Sequence, residues 1–283
     1  MRYILEALAH DSMSGREVGT IQEKKSAELI SSYFKEIGLM PIRKKKFIYP
    51  FSYLLDNEKK VNSAGNVLGK IETKSKKCIL VSAHYDHIGR GERHSNDPYA
   101  KKIHNGADDN ASGVAMMLQL AKNLIIHTPP LKTDIVFVAF SGEEDGLFGS
   151  VEFLRRNFIS PQNIIANINL DMVGRLDILN PLLTVESDFE KYNWRQCLPS
   201  DTSAAFIVRR QPPVLKSSAD HCSFLDVGVP ALLISTGMSS DYHRPSDDVS
   251  KINFKGMEAI LEYLQQMVFN LCNHTTDLRL LAD

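Results

Sequence analysis

Residues 134–150 read DIVFVAFSGEEDGLFGS. From 135 to 140 the chain is an unbroken apolar run of strand length, and a strand apolar on both faces belongs inside a sheet covered on both sides. Glu143 and Glu144 stand just past its end, with Asp145 beside them. Three carboxylates at the mouth of a hydrophobic core repel one another and resist losing their water. Such a cluster calls for a compensating positive charge.

Three further apolar runs, 78–83, 164–170 and 229–234, have the same strand-like character. Helical spacing lies between them. Ala27, Ile30, Phe34 and Ile37 recur on one face ahead of Gly38, a natural C-terminal stop. Residues 112–125 read as a mostly apolar, buried helix ended before Pro129 and Pro130, and 147–158 as a short amphipathic one. Met257, Ile260, Leu261, Leu264, Val268 and Leu271 mark a packing helix near the end. Strands alternating with helices predict an α/β fold: one domain over 1–283 with a mixed, largely parallel central sheet sandwiched by helices. Residues 180–218 read as loops and short strands.

The totals narrow the function. The chain of 283 residues is 43% hydrophobic and 24% charged, with a net charge of −1, so it lacks the global basic field that favours nucleic acid or anionic membranes. Basic runs at 42–47 and 58–77 read as solvated edges. No stretch approaches 18 apolar residues, so no membrane span is expected. The opening residues lack the basic and apolar blocks of a signal peptide, which leaves the compartment open, a periplasmic or secreted location included, should a leader have been removed. Cys78, Cys197, Cys222 and Cys272 form no CxxC pair; buried thiols are the default, with a Cys197–Cys222 bridge left open.

Each apolar run leads into metal-ligand residue types. The first ends in His84-Tyr85-Asp86-His87, the second in Glu143-Glu144, the third in Asp171, and the fourth, after a short loop, in Tyr242-His243. Asp108 and Asp109 precede the buried helix. In open α/β sheets the functional crevice lies beyond the carboxyl ends of the strands, so five segments deliver carboxylate or imidazole to one edge. That donor set, free of thiolate, suits zinc or another divalent first-row ion. HExxH, GxSxG, Walker and GxGxxG patterns are absent.

In order and spacing, SAHYDHIG (82–89), NGADDNASG (105–113), SGEEDGLFGS (141–150), NLDMVGR (169–175), SADHCSF with GVPALLIS (218–235) and YHRPSDD (242–248) resemble the co-catalytic di-zinc aminopeptidases. These are zinc exopeptidases related to glutamate carboxypeptidase, glutaminyl cyclase and the transferrin receptor. LAHDSMSGREVGT (8–20) and NVLGKIE (66–72) extend the resemblance over nearly the whole chain, while 51–77 is too short for a protease-associated insert. The resemblance implies two zinc ions, one bound by His84 and Asp171, the other by Glu144 and His243, with Asp109 bridging. It implies that Asp86 accepts a hydrogen bond from His84 and orients it, that Glu143 is the general base, that Tyr242 stabilises the oxyanion, and that the peptide after Asp109 is cis. Asp220 and His221 fall in a family motif without an assigned role.

The expected function is hydrolysis of N-terminal residues from peptides with a free amine, through a water bridging two cations. A glutaminyl-cyclase-like acyltransferase using one zinc, a carboxypeptidase and a non-catalytic receptor-like relative are the alternatives. A carboxypeptidase needs a cationic pocket, and sequence does not place Arg175, Arg209 or Arg210. Side-chain preference and oligomeric state are not legible.

Overall fold

The computed structural model describes residues 1–43, 45–55, 59–126, 131–213, 219–273 and 277–279. In chain order the helices are α1 (Arg2–Leu8), α2 (Ile21–Ile37), α3 (Gly113–Ile125), α4 (Phe148–Arg155), α5 (His221–Asp226) and α6 (Phe254–Asn273). The strands are β1 (Met40–Pro41), β2 (Ile48–Leu55), β3 (Lys59–Ile71), β4 (Cys78–His84), β5 (Asp134–Phe140), β6 (Ile164–Leu170), β7 (Leu182–Glu186), β8 (Ile207–Gln211) and β9 (Ala231–Ser235). The proline pair expected to end α3 lies outside the described residues.

The strands form one sheet in the order β1-β3-β5-β4-β6-β9-β7-β8, with β2 also pairing β3. Its centre, β5-β4-β6-β9, is parallel, whereas β3 joins β5 and β7 joins β9 antiparallel. Alternation along β5 shows why the central runs are apolar throughout. Ile135, Phe137 and Ala139 pack with α1, α2, α3 and α6 in one cluster, while Val136, Val138 and Phe140 face Phe153 of α4 and Phe224 of α5 in another. The expected mixed, largely parallel sheet between helical layers is the observed fold.

The antiparallel β2–β3 ribbon had no clear signature, because its basic stretch reads as a solvated edge. It occupies that edge, with alternate residues Phe51, Tyr53 and Leu55 turned inward onto Val61 and Ala64. Residues 180–213 do contain two short strands, β7 and β8. All four cysteines are free, so the Cys197–Cys222 bridge does not form.

Helix α2 begins and ends as its sequence demands. Thr20 caps it by accepting from the backbone N–H of Glu23 at 3.1 Å, and Gly38 takes the left-handed conformation that lets Leu39 N–H reach Phe34 O at 2.9 Å. Glu23 itself is buried, accepting hydrogen bonds from the hydroxyls of Tyr85 and Ser141, residues beside His84 and Glu143. Burial pushes its carboxyl up to about 7, against those hydrogen bonds.

Between the ordinary carboxyl value and about 7 the native state therefore holds a proton that the unfolded chain has released. Stability falls as pH rises across that window; the penalty is absent below it and complete above. Glu23→Gln keeps an acceptor oxygen without the charge. Its stability relative to wild type should improve by up to about 3 kcal/mol between pH 5 and pH 8, measured by urea unfolding. A difference that stays flat with pH would show that Glu23 is ionised in the fold.

Candidate metal centre and active site

Because β5, β4, β6 and β9 are parallel neighbours, their carboxyl ends share one edge. His84 ends β4, Glu143 and Glu144 follow β5, Asp171 follows β6, and His243 lies beyond β9. Asp109 arrives from the irregular turn Ala107–Ser112 ahead of α3, and its peptide bond to Asn110 is cis, as the resemblance implies.

Side chains hold that turn against the sheet. Asn110 donates to Leu170 O at 2.9 Å and accepts from Met172 N–H at 3.2 Å, which ties it to the end of β6. The Asp247 carboxylate accepts from the backbone N–H groups of Asp108 and Asp109 at 3.0 Å. Gly106 must be glycine: its φ is +55°, and a Cβ would meet Asp109 O at 2.1 Å and the His87 ring at 2.6 Å.

The five proposed ligands converge. His84 Nε2 lies 3.3 Å from Asp109 Oδ1 and 3.4 Å from Asp171 Oδ1. His243 Nε2 lies 3.2 Å from Asp109 Oδ2 and 2.9 Å from Glu144 Oε2. Ligands bound tetrahedrally at about 2.0–2.1 Å stand about 3.3 Å from one another, the spacing seen here. Asp109 thus turns one oxygen toward each histidine, between two donor groups: His84, Glu143 and Asp171 on one side, His87, Glu144 and His243 on the other.

The electrostatics fit a cation. Burial disfavours charge on His84, yet Glu143 and Asp171 override it and raise its pKa far above the usual range. His243 is likewise raised to about 11, with burial opposing and Asp109 and Glu144 raising. Among the described residues, His243 Nε2 has no partner aligned for a hydrogen bond although two carboxylates stand within 3.2 Å. A ring nitrogen ringed by carboxylates but bonded to none suits a metal.

Glu143 lies 4.0 Å from His84 Nε2. Burial raises its pKa; His84 opposes this, and Glu144, Asp171 and Asp220 add to it. Tyr242 stacks its ring on His243, centroids 3.9 Å apart, and lines the same cavity of about 340 Å³ as His84, Asp109, Glu143, Glu144 and Asp171. Burial and the nearby carboxylates, Asp109 first, raise its hydroxyl further and keep it a donor.

Asp86 differs from expectation in detail. His84 Nδ1 meets the backbone carbonyl of Asp86 at 3.2 Å, while the carboxylate stands off at 3.8 Å. That carboxylate instead accepts the backbone N–H groups of Glu143 and Glu144, at 3.3 and 3.4 Å, and so holds the glutamate loop. The two-residue spacing signals proximity to His84 but not which oxygen faces the ring. Asp220, also buried, is raised to about 6 chiefly by burial, with His84 opposing.

Two residues received no role from the sequence. His87 Nδ1 contacts Glu144 Oε1 at 2.7 Å and sits 3.8 Å from Asp109 Oδ2. Its place three residues after His84 was the available signal. Arg16, wholly buried, had none, since its partners are backbone atoms of distant segments. It donates to the carbonyls of Leu8, Tyr85, Asn105 and Gly106 at 2.6–3.0 Å, clamping the β4 loop to the Asp109 turn. Arg16→Met should cost at least about 3 kcal/mol in urea unfolding, because four buried carbonyls lose charged donors. A loss under about 1 kcal/mol would mean that the carbonyls find other partners.

Comparison with known proteins supplies the context. Over 203 residues, covering 66% of this chain and 40% of the relative, the sequence is 29% identical to aminopeptidase YwaD of Bacillus subtilis (strain 168). Over 95 residues, 34% of this chain but 20% of the relative, it is 43% identical to a probable zinc metalloprotease of Pyrenophora tritici-repentis. The chain thus spans less than half the length of these curated relatives. A glutaminyl cyclase structure from Bacteroides thetaiotaomicron superposes with a TM-score of 0.77 at 18% identity, over 95% of this chain and 96% of that one, a likeness of fold. The model of peptidase family M28 matches residues 66–268, and the chain belongs to that family.

Proposed function

We propose that the chain is a zinc-dependent aminopeptidase that holds two ions and removes N-terminal residues from peptides. The observation that carries this reading is the Asp109 carboxylate, whose two oxygens face two separate histidine–carboxylate groups. His84 and Asp171 would hold one ion, Glu144 and His243 the other, with His87 steadying Glu144 and Asp109 shared. Two such cations would polarise the scissile carbonyl and acidify a water molecule.

The protein groups carry the proton traffic. Glu143 takes a proton from the attacking water and returns it to the departing nitrogen, so that water adds across the C–N bond. Burial, with the neighbouring carboxylates adding to it, raises its proton affinity and suits both halves of that transfer. Tyr242, a protonated donor lining the cavity, addresses the oxyanion as charge develops there. Asp86 keeps Glu143 and Glu144 in place through their backbone N–H groups. The complete ligand set favours this reading over a single-zinc cyclase or a receptor-like relative without catalysis.

The zinc-loaded protein should cleave a dipeptide only when its N-terminal amine is free. Equal cleavage of the N-acetylated peptide would refute the aminopeptidase reading, and cyclisation of an N-terminal glutaminyl peptide without hydrolysis would favour the cyclase.

The adjacent glutamates should separate. Glu143→Gln should retain two ions by elemental analysis and lose about 10²–10⁴-fold in kcat. Glu144→Gln should instead lose occupancy of one ion, with activity partly restored by excess zinc. The roles are reversed if Glu143→Gln is the variant that loses metal.

A further inference from the structure

The three arginines that sequence could not place have different surroundings. Arg175 pairs with Asp241 at 2.9 Å, and Arg210 with Asp201 at 2.6 Å. Arg209 is exposed and lines the cavity that holds the metal centre, and among the described residues its side chain has no hydrogen bond or ion pair.

The outer strands explain its setting. Register places Arg209 beside Thr184 and Thr184 beside Ser235, a row across β8, β7 and β9. The next row is Gln211, Glu186 and Leu233, and all six residues line the cavity. Strand alternation puts each row on the same sheet face. The acid of the second row does not serve as partner to Arg209. Glu186 accepts from Gln211 at 3.0 Å and lies 3.4 Å from His221 Nε2. Burial opposes charge on His221, but its contacts with Cys222 and Glu186 hold it up at about 9, so an imidazolium already answers Glu186.

Resting on the aminopeptidase reading above, we infer that Arg209 is a specificity residue that binds a carboxylate of the substrate, with Thr184 beside it on the cavity wall. A guanidinium presents paired donors that match a carboxylate, and a half-open cavity screens it less than bulk water does. Two sources share this chemistry: the side chain of an acidic N-terminal residue, and the C-terminal carboxylate of a short peptide. The cavity therefore differs from a purely apolar pocket that would favour leucine.

Two substrate pairs and two variants test this with zinc-loaded protein. The first pair is an N-terminal Glu peptide and its Gln isostere, both amidated at the C-terminus. The second is Leu-Gly and Leu-Gly-amide. Wild type should prefer the carboxylate of one pair by about tenfold or more in kcat/KM, mainly through KM. The pair that shows the preference identifies the source. Arg209→Gln should bring that ratio close to one, and Arg209→Lys should restore part of it, with circular dichroism and melting confirming that both variants fold. Ratios near one for both pairs in wild type, or a preference that survives Arg209→Gln, would overturn the inference. Should no peptide be cut at all, the aminopeptidase reading fails separately. Calorimetric binding of glutamic acid α-amide against glutamine α-amide, and of Leu-Gly against its amide, then decides the carboxylate site by the same ratios.

Discussion

Negative charge buried at the end of a parallel sheet governs this molecule. Asp86, Asp108, Asp109, Asp220 and Asp247 are all within a few per cent of complete burial, and Glu143 and Glu144 close the same crevice. Desolvation alone would neutralise such a group, and it does push the carboxyls of Asp86, Asp108 and Asp247 upward. Asp109 and Glu144 go the other way, Asp109 well below the usual range and Glu144 down to about 2. Burial opposes both shifts, but the histidines aimed at each carboxylate outweigh it. These two carboxylates are also the ones that lie closest to His243.

The rest of the site is scaffolding for that charge. Arg16 brings the one fully buried guanidinium among the described residues beneath the crevice, satisfying four carbonyls and facing Asp109, Asp247, Asp86 and Glu144 electrostatically. Burial lowers its pKa to about 10, still far above neutrality, so it remains a permanent counter-charge. Asp86 and Asp247 spend their own oxygens on backbone N–H groups of the ligand-bearing loops. Chemistry and shape are supported by separate residues.

The sheet divides labour in the same way. Its parallel centre, buried on both faces, carries the candidate metal ligands at strand ends, where a rigid frame fixes their spacing. The outer strands β7 and β8 present Thr184, Glu186, Arg209 and Gln211 along the cavity wall.

The central strands and the helices beside them were legible because their physical signals are local: continuous apolar runs, 3.6-residue spacing, and a glycine at the end of α2. The convergence of the candidate ligands was legible because strand ends in a parallel sheet share one edge by topology, so that position along the chain implies position in space. The β2–β3 ribbon was hidden because a basic edge strand looks like a solvated loop until its partner is known. Arg16 left no trace because its partners are carbonyls, which every residue has. His87 and Asp86 show the finer limit, since two- and three-residue spacings past a strand end do not fix side-chain direction. Arg209 and Arg210 are neighbours in sequence, and strand alternation alone separates a residue paired with Asp201 from one that faces the metal cavity. The sequence by itself determined which residue types stand at the strand ends; only tertiary structure decided which atoms meet, because pairing across distant segments depends on register and packing that no local pattern encodes.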